Sequence, residues 1–213
     1  MKIILQEGQK LFFTSDTHYN HKNICRGVSE WKGGVDKTRD FQTLEHMNGA
    51  IVDGINKKVG QDDILIHLGD WSFGGFESIA EFRDRILCKN IYLIFGNHDH
   101  HIEKNKGDVQ DYFIKTSYYD VLEVVDSNKN KYSFVLSHYP ICSWHDMNKG
   151  RYHLFGHVHL PESQKIMRGR SMDVGMDGNN YTPYELREVI NLLKSREIKT
   201  NIIPLDHHEQ EVR

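Results

Sequence analysis

The stretch Ile91-Tyr92-Leu93-Ile94-Phe95-Gly96-Asn97-His98-Asp99 holds five consecutive apolar residues that stop at a glycine and give way to three polar, metal-capable side chains. A short apolar run ended by turn chemistry reads as a strand buried on both faces. Working backward, Ile79, Phe82, Ile86 and Leu87 recur at helical spacing, and before them Ile64-Leu65-Ile66-His67-Leu68 runs into Gly69-Asp70. Further back, Phe41, Leu44, Met47, Ile51 and Ile55 form a second helical stripe beginning near Asp40, and Lys10-Leu11-Phe12-Phe13-Thr14-Ser15 ends at Asp16. Strand, helix, strand, helix, strand predicts parallel crossover units in an α/β chain.

Downstream the pattern changes. Asp120 to Val125 and Tyr132 to Leu136 read as strands of a hairpin joined by Asp126-Ser127-Asn128-Lys129-Asn130. Tyr152 to Phe155 meets Gly156, Ser171 to Val174 adds a further strand, and a helix is expected to begin at Pro183, since proline suits a first helical position. The tail after Pro204 reads as polar. With 213 residues, 38% hydrophobic and 27% charged, the expectation is one globular domain spanning 1–213.

A net charge of −3 gives no broad basic surface for nucleic acid. The three cysteines, Cys25, Cys88 and Cys142, are scattered, form no CxxC pair and suit a reducing compartment. Glu7 stands where a signal peptide would still be apolar, and no apolar run approaches the roughly 18 residues of a spanning helix. Cytoplasmic residence, without membrane contact, is the expectation.

The 14 histidines take their meaning from position. Nearly every expected core strand ends on a residue able to bind a hard or borderline cation, and strand ends converge on one sheet edge. Asp16 and His18 are two apart, so in extended chain both would face one way. Gly69 lets Asp70 turn inward, where one carboxylate can bridge two ions. Asn97 offers a carbonyl oxygen after Gly96, His138 ends its strand, and His157 and His159 flank Val158 after Gly156.

The order DxH, GD, GNHD, H and GHxH, from Asp16 to His159, resembles the calcineurin-like metallophosphoesterase superfamily, with no motif residue missing. The wording Ser15-Asp16-Thr17-His18-Tyr19-Asn20-His21 is similar to its small bacterial and phage members. The resemblance implies two stacked mixed β-sheets flanked by helices, in a four-layer sandwich. It implies one metal held by Asp16, His18, Asp70 and His159 and a second by Asp70, Asn97, His138 and His157, with Asp70 shared. Manganese is favoured by the resemblance, and iron and zinc also suit such ligands.

Two cations roughly 3.5 to 4 Å apart lower the pKa of a bridging water, supplying hydroxide to attack a phosphate ester. His98, not a ligand in the family pattern, is placed to protonate the leaving group, with Asp99 orienting it. The substrate is expected to be a small phosphate ester, monoester or diester, and nucleotide-like. Candidate substrate contacts are His21, Arg39, Trp144 and Arg151: arginine forks match phosphate oxygens and an indole stacks on a base. His67, inside an apolar strand, reads as buried and hydrogen-bonded, while His100 and His101 extend the GNHD loop toward the rim. The alternatives are a non-catalytic metal-binding scaffold and a nuclease using the same site. The complete ligand set argues against the first, and the acidic balance and short chain against the second.

Overall fold

The computed structural model describes residues 1–32 and 37–198. Among them the chain runs β1 (Lys2–Ile4), β2 (Leu11–Thr14), α1 (Leu44–Lys58), β3 (Ile64–His67), α2 (Phe76–Arg85), β4 (Asn90–Ile94), the helical turn α3 (His100–Glu103), β5 (Lys115–Ser117), β6 (Tyr119–Val125), β7 (Lys131–Ser137), β8 (Tyr152–Phe155), β9 (Ser171–Asp173), β10 (Tyr184–Glu185) and α4 (Leu186–Leu193). The expected tail after Pro204 lies outside the described residues.

The strands form two mixed five-stranded sheets, in the orders β1-β6-β7-β8-β9 and β10-β2-β3-β4-β5. Strands β2, β3, β4 and β5 are mutually parallel, as the crossover helices require. β6 and β7 form the expected antiparallel hairpin, whose turn is held by the Asn130 amide donating to Asp126 Oδ1 at 2.8 Å. β7, β8 and β9 are again parallel.

Side-chain alternation along β2 shows how the layers divide. Phe12 points into a core shared with Met47, Ile51 and Ile55 of α1 and Ile79 and Phe82 of α2. Phe13 points the other way, into the core between the sheets, against Phe134, Leu136, Leu154 and Met172, which α4 closes with Leu186, Val189 and Leu193. Fully buried strands have no solvent face, which is why their sequence lacks polar alternation.

Two helix starts differ from expectation. α1 starts after Thr43, whose hydroxyl accepts the His46 amide, so Phe41 packs from the preceding segment. Pro183 does not open a helix. It precedes the short strand β10, where a missing N–H is tolerated, and α4 begins after Glu185 with a reciprocal Glu185–Glu188 capping box. No helix among the described residues is long and apolar enough to cross a membrane.

Candidate metal centre

Because β2, β3 and β4 are parallel, their C-terminal ends, Thr14, His67 and Ile94, lie on one edge. A parallel bridge between Ser15 and Gly175 joins that edge to the continuation of β9. The loops that leave both sheets here carry all seven candidate ligands.

These loops hold one another closely. The Asp16 amide donates to Gly69 O at 2.9 Å and the His18 amide to Asp70 O at 3.0 Å, tying the loop after β2 to the loop after β3. The glycines make the approach feasible. A Cβ on Gly156 would lie 2.0 Å from Ser15 Oγ and 2.4 Å from Asp16 Oδ2, so only glycine lets the loop after β8 reach Asp16. There the His157 amide donates to Asp16 Oδ2 at 2.9 Å.

Asp16, His18, Asp70, His157 and His159 all have positive φ, between 46° and 73°. Non-glycine residues seldom adopt this region, and each instance costs of order 1–3 kcal/mol unless the surroundings enforce it. The expected extended geometry for Asp16 and His18, and for His157 and His159, is therefore corrected. Their side chains converge from tight left-handed turns, not from one face of a strand.

Two overlapping groups result. His18 Nε2 and His159 Nε2 are 3.1 Å apart, and Asp16 Oδ1 lies 3.9 and 3.8 Å from them. On the other side, His138 Nε2 is 3.1 Å from Asn97 Oδ1, and His157 joins His138 and Asp70 in a group with ligand atoms within 4.8 Å of one another. Between them, Asp70 Oδ2 is 3.5 Å from His18 Nε2 and 3.5 Å from His138 Nε2. The other Asp70 oxygen accepts the His98 amide at 2.8 Å.

The donor set fits cations. His138 Nδ1 is 2.7 Å from Leu68 O and His159 Nδ1 is 2.7 Å from Asp177 Oδ2, contacts that assign the ring proton to Nδ1 in each neutral imidazole. That tautomer leaves the Nε2 lone pairs of His138 and His159 pointing inward, and His18 Nε2, 3.1 Å from His159 Nε2, is placed to share a cation with it.

The electrostatics agree. Burial pushes Asp16 up to about 7 despite the nearby histidines. Burial and His159 hold His18 well below the usual imidazole range. Burial alone would lower His138 too, but its hydrogen bond to Asp70 and the charges of Asp16 and Asp70 push it up to about 9. With no cation between them these groups compete for protons, the condition a divalent ion relieves.

Asp177 was not foreseen. Its carboxylate accepts from His159 and takes a two-pronged ion pair from Arg39, Nε to Oδ1 at 2.8 Å and Nη2 to Oδ2 at 2.9 Å. Arg39 also donates to Asp16 O at 2.6 Å and Thr17 O at 2.8 Å, and is buried. Arg39 thus braces the site from behind, correcting its expected place against a substrate phosphate. No motif marks Asp177; only its position just past β9 hints at it.

Three other expectations are corrected. Asp99 does not orient His98: its buried carboxylate accepts the amides of Asp70, Trp71 and Gly96 at 2.8, 2.9 and 2.7 Å, locking the loops after β3 and β4 together. Trp144 is buried on the outer face of β7 against Val135 and Met147, its indole donating to Arg151 O. Arg151 pairs with Asp146 at 3.0 Å and Glu123 at 3.4 Å, just before β8 and so at the opposite end of that strand from His157.

His21, a candidate substrate contact, is buried beside His18 and His98, its ring stacked 4.1 Å from Phe73, and burial with His98 lowers it to about 4. His98 lies at the rim, its ring 5.3 Å from that of His18. His67 is buried as expected, 2.9 Å from Thr17 Oγ1. His101 is half-buried beside Phe76 and His100 is exposed.

Such an edge, with carboxylate, carboxamide and imidazole donors gathered from five loops, is of the kind found in metal-dependent phosphoesterases. Residues 9–152 match the calcineurin-like phosphoesterase family, and the chain belongs to it. It is 28% identical over 200 residues to the uncharacterized protein MJ1445 of Methanocaldococcus jannaschii, covering 91% of this chain and 97% of the relative. Among solved structures, the protein of unknown function AQ665 from Aquifex aeolicus superposes with a TM-score of 0.61 at 22% identity. That match covers 87% of this chain and all of the other, a likeness of fold.

Proposed function

We propose that this chain is a single-domain, cytoplasmic hydrolase that cleaves a small phosphate ester with the help of two divalent cations. The observation that carries the reading is Asp70 Oδ2, 3.5 Å from a ligand nitrogen of each group and thus set to serve both. Asp16, His18 and His159 would hold one ion, Asn97, His138 and His157 the other, and Asp70 both. The absence of cysteine from this set favours manganese, iron or zinc over a soft metal. Bound there, the ions would supply Lewis acidity toward the phosphate oxygens and activate a water at neutral pH.

The chain's own residues do the rest. His98 stands at the rim with its amide tied to Asp70, beside the residues that would hold the ions, and would give a proton to the departing alkoxide. Asp99 fixes the backbone beneath it, and Asp177 with Arg39 fixes the His159 ring. The free thiols Cys25, Cys88 and Cys142 accord with a reducing compartment.

A second reading has an observation of its own: a ring nitrogen of His98 lies within 4.8 Å of ligand atoms of His18 and Asp70, near enough to serve as a further ligand. Hydrolysis of paired aryl phosphate mono- and diesters by metal-stripped protein, before and after adding Mn²⁺, tests the main proposal. Metal-restored turnover is expected, and the preferred ester separates phosphatase from phosphodiesterase. No turnover with any divalent ion would favour a scaffold.

A further inference from the structure

A cavity of 520 Å³ opens beside His98, walled by residues 72–77 after β3 and residues 98–102 after β4. Its volume is that of pockets for small organic ligands, about 300–1,000 Å³. Nothing in the metal centre requires it.

Its position assigns its place in the reaction. His98 is shared: its ring lies 5.3 Å from His18 on the side of the metal centre and also lines the cavity. A group that protonates the leaving oxygen must face the leaving group, so the cavity lies where the departing alcohol would be. This step rests on the phosphoesterase reading above.

The walls then assign the chemistry. Among the described residues the exposed aromatics are Trp31, Phe73, Phe76, Tyr118, Tyr119 and Tyr139. Four of these six touch histidine rings at or beside the centre: Trp31 and Phe73 on His21, Phe73 also on His98, Phe76 on His101, and Tyr139 on His138 and His157. Of these, Phe73 and Phe76 stand at the cavity itself, and aromatic surface left in water there is unfavourable until something covers it.

Phe73 and Phe76 both line the cavity and are each 41% exposed. His21 stacks on Phe73 at an interplanar angle of 28° and His98 meets it at 60°, holding the ring in place while it stays exposed. Between these rings Gly75, with φ of 87°, adds no side chain to the wall. Hydrogen-bonding groups stand alongside. Glu77 and His100 line the wall and supply polar atoms to it. A plain phenyl ring would use only the aromatic faces, whereas a nucleobase offers a π face together with donors and acceptors along its edge.

We propose that this cavity binds the nucleobase of a nucleoside leaving group, so that the ester cleaved is a nucleotide. Isothermal titration of the full chain with adenosine, ribose and benzyl alcohol tests it, on the wild type and on Phe73→Leu and Phe76→Leu, which keep bulk and lose the ring. Adenosine should bind at least tenfold tighter than ribose or benzyl alcohol. Phe73→Leu should weaken adenosine by about 5- to 150-fold, the range for losing one base stack, with an unchanged far-UV spectrum showing that the variant is folded.

Adenosine binding no tighter than ribose overturns the proposal, as does adenosine affinity that survives both substitutions. Benzyl alcohol equal to adenosine overturns the base in favour of a simple aryl group. Wild-type turnover of aryl esters, run in parallel, separates the two readings. Turnover without adenosine binding removes the base pocket alone, while adenosine binding without turnover of either the aryl esters or adenosine monophosphate keeps the pocket and removes the hydrolase.

Discussion

Asp177→Asn isolates the brace behind the candidate metal centre. In the native protein Asp177 Oδ2 accepts from both His159 Nδ1 and Arg39 Nη2, and Oδ1 accepts from Arg39 Nε. A carboxamide has one oxygen for these three donors and no charge. Either His159 loses its partner or Arg39 meets an NH₂ group. Partners that orient a metal-bound histidine are worth about 10- to 100-fold in metal affinity, or roughly 1.4–2.7 kcal/mol. Arg39 is only 3% exposed, and breaking a buried pair costs about 3–5 kcal/mol. The retained oxygen and the Asp16 and Thr17 carbonyls keep the loss near the lower end. For a chain of this size that amounts to a melting point roughly 6–12 °C lower in metal-free protein. Mn²⁺ titration by calorimetry, with thermal melts of the stripped variant, gives both numbers. A lower melting point with unchanged Mn²⁺ affinity would refute the positioning role and leave Asp177 as an ordinary counter-ion.

Four further outcomes are expected. His98→Ala should keep two metals by elemental analysis yet lose about 10²- to 10⁴-fold in turnover on an alkyl phosphate; loss of one ion would show instead that His98 is a ligand. Asp70→Ala should abolish activity and lower affinity at both ion sites, and two tightly held ions in that variant would show the bridge to be misplaced. Gly156→Ala forces a Cβ to 2.0 Å from Ser15 Oγ and should lose Mn²⁺ binding along with about 1–3 kcal/mol of stability, measured by urea unfolding; wild-type affinity would contradict the close approach. His153, buried beneath Trp144, is lowered by burial from 6.5 to about 4. As pH falls through that window the unfolded chain takes a proton that the folded chain refuses, so stability is lost by about 3 kcal/mol. His153→Phe should flatten the dependence of unfolding free energy between pH 7 and pH 4 by that amount, and an unchanged slope would sink the assignment.

Hydrophobic runs made much of the fold legible. β2, β3 and β4 lie where apolar runs placed them, because strands buried on both faces leave no room for polar alternation. The second sheet came only through resemblance, since periodicity within a strand does not say which strands pair. The loop positions of the candidate ligands were legible for a partly mistaken reason. Asp16 and His18 meet through left-handed turns, and nothing in the tripeptide Asp-Thr-His encodes that backbone except its crowding against Gly69 and Gly156. Arg39, Trp144 and Arg151 misled because residue chemistry does not report direction: each turns toward the protein's own carbonyls or carboxylates. Asp177 stayed hidden because its partners, Arg39 and His159, are 138 and 18 residues away. Phe73 and Phe76 read as ordinary apolar residues until the loops placed them at a mouth.

The candidate ligands are contributed from both sheets. Asp16, His18, Asp70 and Asn97 follow strands of one, and His138, His157 and His159 follow strands of the other. A cation seated among them is therefore a clasp as well as a reagent: whatever affinity it has is also resistance to prising the sandwich apart at that edge. At a hundredfold excess over its dissociation constant each ion would add about 2.7 kcal/mol to the folded state. Chelation should then expose this end of the molecule to proteolysis before the helix-covered face, making metal supply a control on how long the protein lasts.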